Sequence, residues 1–208
     1  MSLADDLESL FDVDRRAQAA EVAVLAHEAV ELAHGLADAV STALKESGDD
    51  AELRLRRLTD LCAQVEGPEM ADALLAILDH PTPSIRTEAG EALLDVAYAR
   101  FKEVALAIER RLETSDTGAA MQELPFVLIQ VRDPDPLPLL AKFLAHPEPD
   151  VVGASIEALA SYGDPNAAPH LEALLEDTRE TTLEDLDDAP VRLGELAEAA
   201  LEELGIEA

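Results

Sequence analysis

The chain has 208 residues with 45 acidic against 15 basic side chains, a net charge of −30. A potential of that sign repels phosphate backbones and anionic lipid headgroups, so neither nucleic acid nor membrane is an expected partner. Hydrophobic residues make up 48% of the chain but aromatics only 3%, with no Trp, so the core must be built from Ala, Leu, Val and Ile, a set that suits close-packed helices.

A single cysteine, Cys62, cannot form an internal disulfide, and no segment has the ~18 uninterrupted apolar residues that a membrane helix requires. The opening MSLADDLESLFDVD carries acid where a secretion leader would carry Lys or Arg. The expectation is a cytoplasmic protein, and the excess of Arg over Lys with abundant Ala points to a GC-rich bacterial genome.

Residues 1–14 place Leu3, Leu7, Leu10 and Phe11 at helical spacing among Asp5, Asp6, Glu8, Asp12 and Asp14. This predicts a flexible acidic segment able to cap the first helices or to dock on a partner. Residues 15–66 form an N-terminal helical hairpin. Its first helix is predicted without interruption to about Glu46, along a seam of Val22, Leu25, Ala29, Leu32, Leu36 and Ala39. Ser47-Gly48-Asp49-Asp50 reads as a stop and restart. The second helix, about Ala51–Glu66, is expected to fold back through Leu53, Leu58, Leu61 and Val65.

From residue 67 to 205 the chain repeats itself. His80-Pro81 recurs 66 residues later as His146-Pro147, together with Pro83 and Pro149, Ile85 and Val151, and Ala92-Leu93 and Ala158-Leu159. Each unit reads as a helix A, a short turn and a helix B. Gly67-Pro68, Asp133-Pro134 and Asp164-Pro165 open A helices, because proline at the first turn loses no hydrogen bond and its fixed φ favours helix entry. The B helices align on one apolar stripe. It comprises Ile85, Ala89, Ala92, Leu93 and Val96; then Ala120, Leu124, Val127, Leu128 and Val131; then Val151, Ser155, Ala158, Leu159 and Tyr162; then Leu193, Ala197, Ala200, Leu201 and Leu204. Such small-residue stripes are buried only when the next pair stacks on them. Pro125 lies inside the second B helix and should kink it. Residues 178–188 form an acidic insertion before the fourth B helix, with the charge of a solvated loop or of an arm reaching a basic partner.

Leu74-Leu75-Ala76-Ile77-Leu78, Pro81 to Pro83, Ile85-Arg86, Ala89 and Ala92-Leu93 together resemble the HEAT repeat family, in particular the short HEAT-like repeats of phycobilin lyase subunits and bacterial scaffolds. The resemblance implies an all-α fold, a right-handed α-α solenoid, with the B helices on the concave side. The family's Arg after the Val/Ile is present at Arg86 but replaced by Val152 and Gly194, so a continuous Asp/Arg ladder is not expected.

Catalytic signals are weak. His27, Glu31 and His34 fall at metal-ligand spacing on the first helix, yet opposite its seam, where polar residues belong in any case. His80 and His146 precede Pro and do not form the His-Glu pairs of the HEAT-like deoxyhypusine hydroxylases. No phosphate loop, nucleophile elbow or paired zinc motif occurs. Cys62 reads as a small buried hydrophobe. No cofactor is expected, and the chain is read as a non-enzymatic scaffold. It binds a basic partner protein on an acidic concave face made by Glu88, Glu91, Asp95, Gln122, Phe126, Gln130, Glu157 and Glu195, with Phe126 as an aromatic anchor among acids. The alternatives are a lyase-like accessory subunit, a metal-dependent enzyme using His27, Glu31 and His34, and an acidic nucleic-acid mimic.

Overall fold

The computed structural model describes residues 2–182 and 190–206. Among the described residues the chain forms ten α-helices and one two-stranded ribbon. The helices are α1 (Leu3–Leu25), α2 (Ala29–Ala43), α3 (Asp49–Gln64), α4 (Pro68–Leu78), α5 (Pro83–Glu113), α6 (Ala120–Leu128), α7 (Leu137–Phe143), α8 (Pro149–Tyr162), α9 (Ala168–Glu172) and α10 (Leu193–Glu203). Strands β1 (Glu180–Thr181) and β2 (Val191–Arg192) pair antiparallel between α9 and α10. Among the described residues no helix is long and apolar enough to cross a membrane.

Proline opens α4 as the sequence predicts, whereas Pro134 lies in a bend ahead of α7, which starts only at Leu137 because the chain bends there first. Pro68, Pro83 and Pro149 stand at the first turns of α4, α5 and α8, Pro138 and Pro169 in those of α7 and α9, and Pro165 begins a short 3-10 turn ahead of α9. At the far end of α8 the chain leaves through Gly163, whose φ of 72° is the left-handed conformation that ends a helix most cheaply in glycine.

Helices α3, the first part of α5, α6, α8 and α10 lie side by side as the B layer, backed by the A helices α2, α4, the second part of α5, α7 and α9. Helix α5 serves both layers because it bends at Arg100 (φ −145°, ψ 50°). The Arg100 guanidinium donates to the Ala63 carbonyl at the end of α3 (3.0 Å), and Glu103 one turn on accepts the Gly67 N–H that opens α4 (3.1 Å). A bend replaces the loop that would otherwise join two repeats.

The B-layer stripe is the core. Of the twenty aligned positions only Ala92 and Leu204 are partly exposed; the rest, including Ile85, Val151 and Leu193, are buried. Pro125 is buried inside α6, a helix of nine residues that ends three residues after the proline, at Leu128. Its missing N–H removes one helical hydrogen bond.

Three details differ from the sequence reading. The first helix is not continuous: Ala26–Glu28 interrupts it, and α1 crosses the expected boundary at residue 14 without a break. Helix α2 buries Leu32, Ala33, Leu36, Val40 and Ala43 against α3 and α4, whereas Val22 and Ala29 are exposed. The seam therefore ends with α2, because nothing continues the two layers beyond it. Leu53 points outward rather than into the hairpin, at 57% exposure. Helix α3 must face both α2 and α5, which centres its buried side on Ala51, Leu55, Thr59 and Cys62 and turns Leu53 to the opposite side. The third difference is at the acidic insertion. Its described flank, residues 178–182, is folded into the ribbon, with Thr181 buried; residues 183–188 lie outside the described residues.

Gly194, the first-turn residue standing in the repeat's Arg position, is explained by this ribbon. A Cβ there would sit 2.4 Å from the Leu175 carbonyl oxygen, and the Gly194 N–H donates to the Asp177 carbonyl (3.0 Å). Backbone occupies the side-chain space. Gly194→Ala is expected to lose about 1–3 kcal/mol from the forced shift, read as a lower urea midpoint at unchanged slope. Gly90→Ala in α5 is the control: its Cβ would meet Leu78 at an ordinary 3.7 Å, and a gain of about 0.5–1 kcal/mol from helix propensity is expected.

Candidate functional site

The exposed side of the B layer carries two grooves. The first, about 500 Å³, runs between α3 and α5 and is bordered by Glu21, Asp60, Glu88, Glu91, Asp95 and Arg57. The second, about 430 Å³, lies across α6, α8 and α10. Its walls are Phe126, Ile156, Ala160, Leu196, Ala199 and Ala200, and its charged residues are Glu157 and Glu203. Phe126 is 38% exposed there, while the helix around it is held by the buried Leu124, Pro125, Val127 and Leu128.

The residues expected to form one face are thus divided. Glu88, Glu91 and Asp95 belong to the first groove, and Phe126 and Glu157 to the second. Gln130 sits at the end of α6, where its side chain donates to the Phe126 carbonyl (3.2 Å) and its own carbonyl accepts the Tyr98 hydroxyl (2.9 Å). Gln122 is exposed near the start of α6. Glu195 turns away to the ribbon side, where it pairs with Arg192, and that hydrogen bond holds its carboxyl below the ordinary range. The walls Ile156, Ala160, Leu196 and Ala199 escaped sequence reasoning. In the repeat alignment they flank the stripe, and only neighbouring-helix geometry shows which flank opens to solvent.

Not all the acids of this face are available. Arg56 on α3 bonds Glu88 on α5 (2.8 Å) and Arg86 on α5 bonds Glu123 on α6 (2.8 Å), so consecutive B helices are tied near their starts. At their ends, Arg132 donates to the Tyr162 carbonyl (3.2 Å) and lies 4.5 Å over the Tyr162 ring. Glu91 and Asp95 form no ion pair among the described residues.

The His-Pro turns that mark the repeat have one construction. His80 Nδ1 accepts the Thr82 N–H (3.2 Å), and His146 Nδ1 accepts the Glu148 N–H (3.1 Å). In the first turn, Arg86 Nη1 donates to the carbonyls of His80 and Pro81, both at 3.1 Å. In the second, where Val152 replaces that arginine, Arg179 Nη1 reaches the carbonyls of His146 (2.9 Å) and Pro147 (3.2 Å) from the ribbon. Asp177 grips Arg179 through Nε (3.0 Å) and Nη2 (2.7 Å), and Thr181 bonds Asp150 at the start of α8 (2.7 Å). The insertion returns the guanidinium that the helix lacks.

The candidate metal trio is not assembled. His27 falls in the turn between α1 and α2, with Nδ1 3.8 Å from Glu31, while His34 lies on α2 with Nδ1 on the Val30 carbonyl and Nε2 3.8 Å from Glu69. Among the described residues no group of three His, Cys, Asp or Glu could hold a metal ion. Cys62 is fully buried, and that burial pushes its thiol up to about 12.

Stacked two-layer helix pairs with proline-led turns define an α-solenoid. Residues 106–185 match the family model for HEAT repeats. The match runs from the second part of α5 through β1, and leaves out the His80-Pro81 unit on its N-terminal side. No curated protein and no solved structure matches the chain. Solenoids of this class present extended surfaces on which other proteins bind.

Arg179→Ala is expected to lower the thermal midpoint, since the His146 and Pro147 carbonyls of the turn lose their donor. A pH dependence accompanies it. The hydrogen bond from Arg179 holds the Asp177 carboxyl below its ordinary range, so the pair stabilises the fold at neutral pH and the contribution is lost as pH falls through that depressed value. The native stability curve should therefore be steeper than that of Arg179→Ala below about pH 4, as followed by urea unfolding at stepped pH.

Proposed function

We propose that this protein is a non-enzymatic adaptor whose B-helix face binds a basic segment of another protein. The reading rests above all on the groove at Phe126, where a half-exposed aromatic adjoins the apolar walls Ile156, Ala160 and Leu196, beside the carboxylates of Glu157 and Glu203. An apolar pocket beside acids suits a partner side chain that is itself apolar and flanked by Lys or Arg. The groove at Glu91 and Asp95 extends the negative surface along the same layer. Charge at −30 draws a cationic segment in at long range, and Phe126 then supplies the desolvated contact that holds it.

Affinity capture from a cell lysate, followed by titration of the recovered partner, tests the proposal. Phe126→Ala is expected to weaken binding at least tenfold, the scale of a buried aromatic anchor. Glu157→Gln with Glu203→Gln is expected to slow association and to flatten its salt dependence. Recovery that survives high salt and all three substitutions would refute this face as the binding site.

A further inference from the structure

The N-terminal end of the solenoid carries a second apolar surface, remote from the Phe126 groove. Between α2 and α3 a groove of about 690 Å³ opens outward, lined by Gly35, Ala39 and Ala43 on α2 and by Leu53 and Leu58 on α3. End repeats of solenoids need a polar outer face to stay in solution. At this end Leu53 is 57% exposed among the polar residues Asp38, Thr42, Arg54 and Arg57. Asp38, Arg54 and Arg57 also line the groove; Arg54 pairs with Glu46 (2.9 Å) and Asp50 (2.7 Å), whereas Arg57 stands 4.0 Å from Asp60.

Helix α1 has the complementary character. None of its residues is buried, and no α1 residue lines the groove. One face carries Leu3, Leu7, Leu10 and Phe11, all 42–75% exposed. The same face carries Ala17, Glu21 and Leu25, which are partly covered by the body; Glu21 accepts from Gln64 at 3.1 Å. The helix is thus held by its second half, and its first half stands clear with its leucines uncovered. That half bears Asp5, Asp6, Glu8, Asp12 and Asp14 before its first base, Arg15. Ser2 and Asp5 close a capping box at its start, so the free half is a formed helix. Leu3 to Phe11 and Gly35 to Ala43 each span about 12 Å of helix at 1.5 Å per residue.

We infer that two copies of this chain pair by exchanging their α1 helices, the Leu3–Phe11 face of each seating in the α2/α3 end groove of the other. The leucines fill the small-residue groove beside Leu53, and the acids of α1 meet Arg57. A reciprocal exchange uses both grooves and closes the assembly with two-fold symmetry.

Sedimentation equilibrium of the full chain over a wide concentration range tests this, with the expected result a concentration-dependent dimer. Leu7→Asp with Phe11→Asp, and separately Leu53→Asp, should each raise the dimer dissociation constant at least tenfold while leaving the circular-dichroism melt of the monomer unchanged. Arg57→Glu, at an exposed side chain only 4.0 Å from Asp60 and so checked by its own melt, should weaken the dimer as well. A mixture of differently tagged Leu7→Cys and Ala39→Cys chains should form a disulfide between the two tags on mild oxidation, with buried Cys62 silent. A monomer at all concentrations, a dimer indifferent to these substitutions, or a Leu7→Cys/Ala39→Cys double variant that cross-links within one chain at high dilution would overturn the inference. None of these outcomes touches the Phe126 groove, so the two proposals stand or fall separately.

Discussion

The whole molecule depends on one constraint: a B helix built on Ala, Leu and Val exposes a stripe that its own partner helix cannot fully cover. Val151, Ser155, Ala158 and Leu159 of α8 become buried because α6 and α10 lie on either side and α7 lies behind. Each fully buried Leu or Val is worth roughly 1.5–3 kcal/mol, so the repeats are stable only as an array. Even the polar member of the stripe conforms, since the Ser155 hydroxyl donates to the Leu140 carbonyl (3.2 Å) across the two layers. Small side chains bring the backbones close enough for that bond to form.

Close stacking creates a second problem at the turns, where carbonyls are left without helical donors. The first His-Pro turn is satisfied from within its own B helix by Arg86. The third unit has Val152 in that place, buried at 0% exposure, and so cannot supply a cation locally. Its turn is satisfied by Arg179, 33 residues beyond His146, at the root of the insertion. The ladder of the family is therefore interrupted along the sequence but repaired in space, and the ribbon that repairs it also forces glycine at position 194. An insertion that would read as an appendage is part of the frame.

These ties leave their mark on the surface. Arg56 and Arg86 take up Glu88 and Glu123 in joining α3 to α5 and α5 to α6, so those acids serve the stacking. Farther along the helices, Glu91 and Asp95 border one groove and Glu157 and Glu203 the other. The same face thus carries structural ion pairs and, beyond them, the two grooves. At the N-terminal end Leu53 is exposed beside the α2/α3 groove, and Leu3, Leu7 and Leu10 of α1 are exposed as well.

By itself the sequence determined the helical repeats, the proline-led turns and the buried stripe, because each is written in short-range spacing that a helix converts directly into a face. It also singled out Phe126 as the aromatic among acids. It did not reveal the break at Ala26–Glu28, since those residues contain neither Gly nor Pro and only the lack of a third layer ends the seam there. Nor could it show that Leu53 faces out, that Glu195 turns to the ribbon, or that Ile156 and Leu196 wall the groove. Tertiary structure alone decided those points, along with the substitution of Arg179 for a missing arginine, because each depends on which neighbour occupies the space beside a residue and not on the residue's own place in the pattern.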